Sequence, residues 1–215
     1  MFSAHLVFCD INNHSQFPIK DRVDILDKYW KICEKYKPHD LNDHSFYDID
    51  NDSFMAGFSC QNGLYSGYDV LSLIGSLSDE FEKVNISASF GINLMACNQG
   101  IVWKTIPGFI EDLKMIHMPD EIFAKLGRIQ RSRLAGDSLI ITARLQSLAK
   151  KLGVLGCVSV FQGGHIDELN GFILKNKKRV IAKIIPNNEF RKLGEEQSRW
   201  LCERNIKAFS FELVK

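Results

Sequence analysis

The chain has 215 residues, 45% hydrophobic and 25% charged, with a formal net charge of +1. That size predicts one globular domain over 1–215 with a single sizeable core, and the near-neutral balance excludes a global basic field of the kind that draws proteins to nucleic acid or membranes. No apolar stretch approaches a membrane span, no signal-peptide pattern precedes the first strand, and six cysteines (Cys9, Cys33, Cys60, Cys97, Cys157, Cys202) form no CxxC pair, so a soluble cytoplasmic protein with reduced thiols is expected.

Leu6-Val7-Phe8-Cys9 is a continuous apolar run, as in a strand buried on both faces, and it leads into Asp10 and Ile11. Val23, Ile25, Leu26, Tyr29, Trp30, Cys33 and Tyr36 recur at helical spacing and predict an amphipathic helix over 21–36. Short runs over 45–49 and 54–58 flank the polar tip Asp50-Asn51-Asp52-Ser53, which predicts a β-hairpin. Val70, Leu71, Ile74, Leu77 and Phe81 predict a second helix over 68–84, followed by a strand over 85–94. Pro107-Gly108 and Pro119 punctuate the next stretch, where two short helices are expected over 110–117 and 121–130. Asp137 or Ser138 caps a third clear helix over 139–152, closed by Lys150-Lys151 and Gly153. Strands over 158–161, 179–185 and 208–214, with a helical stretch over 188–204, complete the chain. This irregular alternation with an included hairpin predicts an α/β fold, an α+β sandwich whose mixed sheet carries helices mainly on one side.

Asp10 closes a core strand and Asp52 sits in a neighbouring hairpin turn. Two carboxylates so placed can converge on a divalent cation, which as a hard ion wants oxygen ligands and suits phosphoryl chemistry on a nucleotide. Each residue alone has a plainer reading. An aspartate after a strand is most often a solvated turn or helix cap, and an arginine on an amphipathic helix a snorkelling surface residue. His5, His14 and His165 show no metal-ligand spacing and read as structural.

Three segments in order carry a resemblance. Phe8-Cys9-Asp10-Ile11-Asn12-Asn13-His14-Ser15 resembles the opening motif of class III nucleotidyl cyclases, and Asn51-Asp52-Ser53-Phe54 is similar to their hairpin motif. Gly136-Asp137-Ser138 leading into Ala143-Arg144-Leu145 is similar to the turn and helix that end their catalytic core. The resemblance covers 6–160 and implies a ferredoxin-like mixed and largely antiparallel sheet. It also implies two divalent cations (Mg²⁺ or Mn²⁺) held by Asp10, Asp52 and the Ile11 carbonyl, with the triphosphate on backbone amides of Asn12, Asn13, His14 and Ser15. Arg144 would stabilise charge on the phosphoryl oxygens, contributed across a homodimer whose two chains share each site. The product would be a 3′,5′-cyclic nucleotide plus pyrophosphate.

The departures bear on the base. The family's ribose-placing asparagine is here Ile140, and its base-reading positions are Asp48 and Arg133, matching neither adenine nor guanine recognition. With a helical insertion about 106–126, this looks like the Pycsar pyrimidine cyclases of bacterial antiphage defence, which make cyclic CMP or cyclic UMP for a separate effector. Phe46, Tyr47, Asp48 and Arg133 would then shape a pocket for cytosine or uracil. A purine cyclase with an unusual pocket, or a degenerate domain that binds a nucleotide without turnover, are the alternatives.

Overall fold

The N-terminal apolar run forms strand β1 (Ala4–Ile11), which sits near the middle of a seven-stranded mixed sheet. The computed structural model describes residues 4–39, 45–60, 64–94, 102–104, 133–135, 137–159, 163–176, 180–203 and 206–213. After β1 come α1 (Ile19–Lys35), the hairpin β2 (Phe46–Asp50) and β3 (Ser53–Ser59), α2 (Gly67–Lys83) and β4 (Ala88–Asn93). A two-stranded ribbon follows, β5 (Val102–Lys104) with β6 (Arg133–Ala135), and then α3 (Asp137–Leu152), β7 (Gly156–Ser159) and α4 (Gly163–Asn176). The chain closes with β8 (Val180–Ile184), a 3₁₀ turn (Glu189–Leu193), α5 (Glu195–Glu203) and β9 (Ala208–Leu213).

The large sheet runs β2-β3-β1-β4-β7-β9-β8, and only β4 with β7 pair in parallel. Its first four strands with α1 and α2 make a ferredoxin-like βαββαβ unit, the arrangement that the resemblance implies. On one face Val7, Cys9, Phe54, Phe90 and Ile92 form the main core with Tyr29 of α1 and Phe81 of α2, and α4 adds Leu169 and Phe172. The opposite face carries α3, the 3₁₀ turn and α5 around a smaller core of Ile141, Leu145, Leu148, Cys157, Phe190 and Leu201. A sheet buried on both faces reads as continuous apolar runs, which is why β1 shows no clean alternation.

Local chemistry sets several boundaries. Ser66 and Asp69 cap α2 reciprocally, each side chain accepting from the other's backbone amide. The strand expected from 85 begins at Ala88, because Asn85 takes a left-handed φ of 58° and Ile86 N–H bonds back to the Phe81 carbonyl. The helical stretch expected over 188–204 is two pieces, broken at Gly194, whose φ of 101° no helix accommodates. Helix α4 was not expected from sequence, since Gly163, Gly164 and Gly171 mask the helical spacing of Leu169, Phe172 and Ile173. The helices expected over 110–117 and 121–130, and the insertion about 106–126, lie outside the described residues. The cysteines Cys9, Cys33, Cys157 and Cys202 are free, and burial pushes the Cys33 and Cys157 thiols up to about 12.

Candidate active site

The sheet topology brings the two aspartates to the same end. β1 and β3 are antiparallel with Asp10 opposite Ser53, so the turn residue Asp52 stands next to the end of β1. Ile11 N–H donates to the Asp52 carbonyl at 3.0 Å. The turn holds Asn51 at a left-handed φ of 51°, a conformation asparagine tolerates, and the Trp30 indole N–H of α1 donates to its carbonyl at 2.6 Å. Asp52 is thereby fixed by three elements. The Ile11 side chain is 1% exposed in the core, so Ile11 can offer the site only its main chain.

The environments of the carboxylates differ. Asp10 points to the face covered by α3, where its Oδ2 accepts from Lys150 Nζ at 3.0 Å and Gln146 Nε2 at 3.4 Å. Burial raises its carboxyl above the ordinary value of 3.8, Lys150 opposes that rise, and the nearby Asp52 charge adds to it. Asp52 Oδ2 lies 3.3 Å from His14 Nδ1, and the His14 ring is mostly buried. His14 Nε2 is buried with no hydrogen-bond partner among the described residues.

The loop after β1 is tied down on both sides. Asn12 N–H donates to the Ser87 carbonyl at 2.8 Å, its side-chain amide donates to Ser87 Oγ, and Ser89 Oγ donates to its Oδ1. Arg22 of α1 donates to the Phe17 carbonyl at 2.7 Å and to the Ser15 carbonyl. Asn12 is thus a structural clamp with its amide engaged. Asn13 turns the chain at φ 58°, and His14 and Ser15 start a short 3₁₀ turn, whose first amides no carbonyl within that turn can accept.

The donor set fits a hard divalent cation, with two carboxylates and a main-chain carbonyl at one sheet end. Among the described residues no group of three or more His, Cys, Asp or Glu is placed to hold a metal. A pair of carboxylates completed by water and substrate oxygens matches the way magnesium is commonly held at phosphoryl-transfer sites.

Other expected residues separate. Tyr47 turns inward with its ring centroid 5.5 Å from that of Phe54 and packs on the main core, whereas Asp48 takes the opposite face, as strand alternation requires. Asp48, opposite Met55, which is opposite Phe8, lies on the face of the sheet that Asp10 uses. Phe8 and Met55 are half-buried there and were not singled out from sequence, where both look like ordinary core residues. Phe46 starts β2 opposite Gly57, and Arg133 starts β6 opposite Lys104. Arg144 points away from Asp10: its guanidinium carbon is 4.1 Å from the ring centre of Trp200 on α5. Helical geometry requires this, because Arg144 is about 200° around the helix from Gln146 and about 120° from Lys150. Ile140, 42% exposed, shares the Arg144 side at i and i+4.

No family model matches the chain, and no curated protein matches it. Among solved structures it is similar to a bacterial light-regulated adenylyl cyclase, with 13% identity and a TM-score of 0.49, over 99% of this chain and 51% of that one. It is also similar to the adenylyl cyclase CyaB from P. aeruginosa, with 12% identity and a TM-score of 0.48, over 100% of this chain and 94% of that one. The chain therefore spans about half the length of the first of these, 51%. At 13% and 12% identity these likenesses carry no residue roles to this chain. Among the described residues no helix is long and apolar enough to cross a membrane.

Proposed function

We propose that the chain is a nucleotidyl cyclase that closes a pyrimidine nucleoside triphosphate, CTP or UTP, to its 3′,5′-cyclic monophosphate, a messenger for a separate antiphage effector. The observation that carries the cyclase reading is the convergence of Asp10 and Asp52 at one sheet end, beside a loop that leads into a short 3₁₀ turn at His14. In the reaction the ribose 3′-oxygen bonds to the α-phosphorus, the bond from that phosphorus to the bridging oxygen breaks, pyrophosphate leaves, and the hydroxyl proton passes to solvent. A divalent cation, when bound, lowers the pKa of that hydroxyl and neutralises phosphate charge. Asp10 and Asp52 hold the cation, and the amides of Asn13, His14 and Ser15 meet phosphate oxygens. Asn12 keeps that loop in place through Ser87 and Ser89.

Arg144 serves a partner's site. Its side chain leaves α3 on the side opposite Gln146, so one chain cannot direct both Arg144 and Asp10 at the same phosphate. Two chains in a twofold dimer can, each lending its arginine to the other. An equimolar mixture of inactive Asp52→Ala and inactive Arg144→Ala chains is expected to recover about a quarter of wild-type turnover. Half of the randomly formed dimers would be mixed, each with one intact site of two. Demonstrated mixed dimers without activity would place each site within a single chain.

The pyrimidine assignment rests on the residues at the base-reading positions. Asp48, exposed on the Asp10 face, can accept from the cytosine amine or uracil N3–H, and the half-buried Phe8 and Met55 beside it offer an apolar surface for a ring. Incubating the protein with each of the four nucleoside triphosphates and Mn²⁺, with products identified by mass spectrometry, is expected to yield cyclic CMP or cyclic UMP. A cyclic purine alone would overturn the base assignment, and no cyclic product from any nucleotide would overturn the enzyme. Ile140, which cannot place a ribose by hydrogen bonding, favours a second reading as a nucleotide-binding module without turnover, and the same assay decides between the two.

A further inference from the structure

Helix α3 presents two cations in different directions, and the reaction above uses only Arg144. Lys150 faces its own chain's Asp10, with Nζ 3.0 Å from the same Oδ2 that Gln146 approaches at 3.4 Å. One of the two Asp10 carboxylate oxygens is therefore already held by an ammonium, whose positive charge disfavours a divalent cation at the same carboxylate. The helix backbone is seated directly on Gly91 of β4, with no room even for a methyl group between them, whereas the lysine side chain is the mobile part of the contact. It is 40% exposed against 21% for Asp10, which puts the ammonium on the solvent side of the carboxylate at the end of a flexible four-carbon stem.

We propose that Lys150 is a displaceable counter-ion that leaves Asp10 when a divalent cation binds there and moves onto the phosphates of the incoming triphosphate. This inference rests on the nucleotide reading given above. An ammonium and a divalent cation compete for the same negative charge, so Lys150 weakens cation binding to the empty site. Once phosphates arrive, the displaced ammonium finds a new anionic partner, and cation and triphosphate favour each other's binding through this one side chain. Lys150 is thus a triphosphate-contacting residue that also sets the order of loading.

The test compares wild type, Lys150→Met and Lys150→Arg, each checked for folding by circular dichroism. Mn²⁺ affinity without nucleotide is read by electron paramagnetic resonance of free Mn²⁺, and affinity for inorganic triphosphate in excess Mn²⁺ by calorimetry. Lys150→Met should bind Mn²⁺ about threefold to fivefold tighter and manganese triphosphate at least that much more weakly, and Lys150→Arg should stay close to wild type on both. A lysine that merely supports the fold would weaken both or change neither, and either result overturns the proposal. If wild type binds no Mn²⁺ at all, the metal reading falls and this inference with it. If wild type binds Mn²⁺ and the Met variant matches it, only this inference falls.

Discussion

Replacing Asp10 by asparagine is expected to lower Mn²⁺-dependent product formation about a thousandfold and to leave the chain more stable than wild type at pH 7. The first effect follows from removing a charged ligand: a cation at a reacting phosphoryl group is worth several kcal/mol, and each 1.36 kcal/mol is tenfold in rate. The second follows from burial, which raises the Asp10 carboxyl above its ordinary 3.8 even with Lys150 beside it. A raised acid favours its neutral form in the folded state. Below the unfolded value the group is protonated in both states and the fold keeps its full stability; as pH rises through the raised folded value, the fold must ionise a poorly solvated group and stability is lost. Asparagine keeps the shape and never ionises. Melting temperatures from pH 3.5 to 7 should therefore coincide at the acid end and diverge in favour of the variant toward neutrality. A variant less stable at pH 7 would mean that the Lys150 pair outweighs burial.

Gly91→Ala is expected to destabilise the fold by about 3 kcal/mol, a large share of a domain's typical margin. A Cβ at this position of β4 would lie 2.1 Å from the Thr142 carbonyl oxygen and 2.4 Å from the Gln146 amide nitrogen. Both are backbone atoms of α3, so relief requires moving the helix. The same shift carries Gln146 and Lys150 away from Asp10 and alters the site as well as the core. Gly156→Ala meets the Phe211 ring at 2.4 Å, and a ring can rotate where a backbone cannot, so its cost should be smaller. Urea denaturation of the two variants checks the order; equal midpoints would show that α3 adjusts freely over the sheet.

Much of the scaffold was legible because it is locally encoded. The apolar run before Asp10, the hairpin around Asp52 and the Lys150-Lys151-Gly153 end of the Arg144 helix each follow from residues within a few positions of one another. Reading failed where local signals were mixed, as at the glycine-containing α4 and at Gly194, where one left-handed φ divides an apolar-periodic stretch.

Asp10 and Asp52 could be named from sequence, because a strand end and a hairpin turn are positions that chain chemistry specifies. Their surroundings could not. Lys150 reaches Asp10 across 140 positions of sequence, Asn12 is clamped by Ser87 and Ser89, and His14 meets Asp52 only because the hairpin folds back beside β1. The sequence by itself determined which side chains carry charge and which face of each element is apolar. Only the tertiary structure decided that α3 turns Lys150 toward Asp10 and Arg144 away from it, because helix orientation is set by packing on Gly91, a contact between distant segments that no local pattern records.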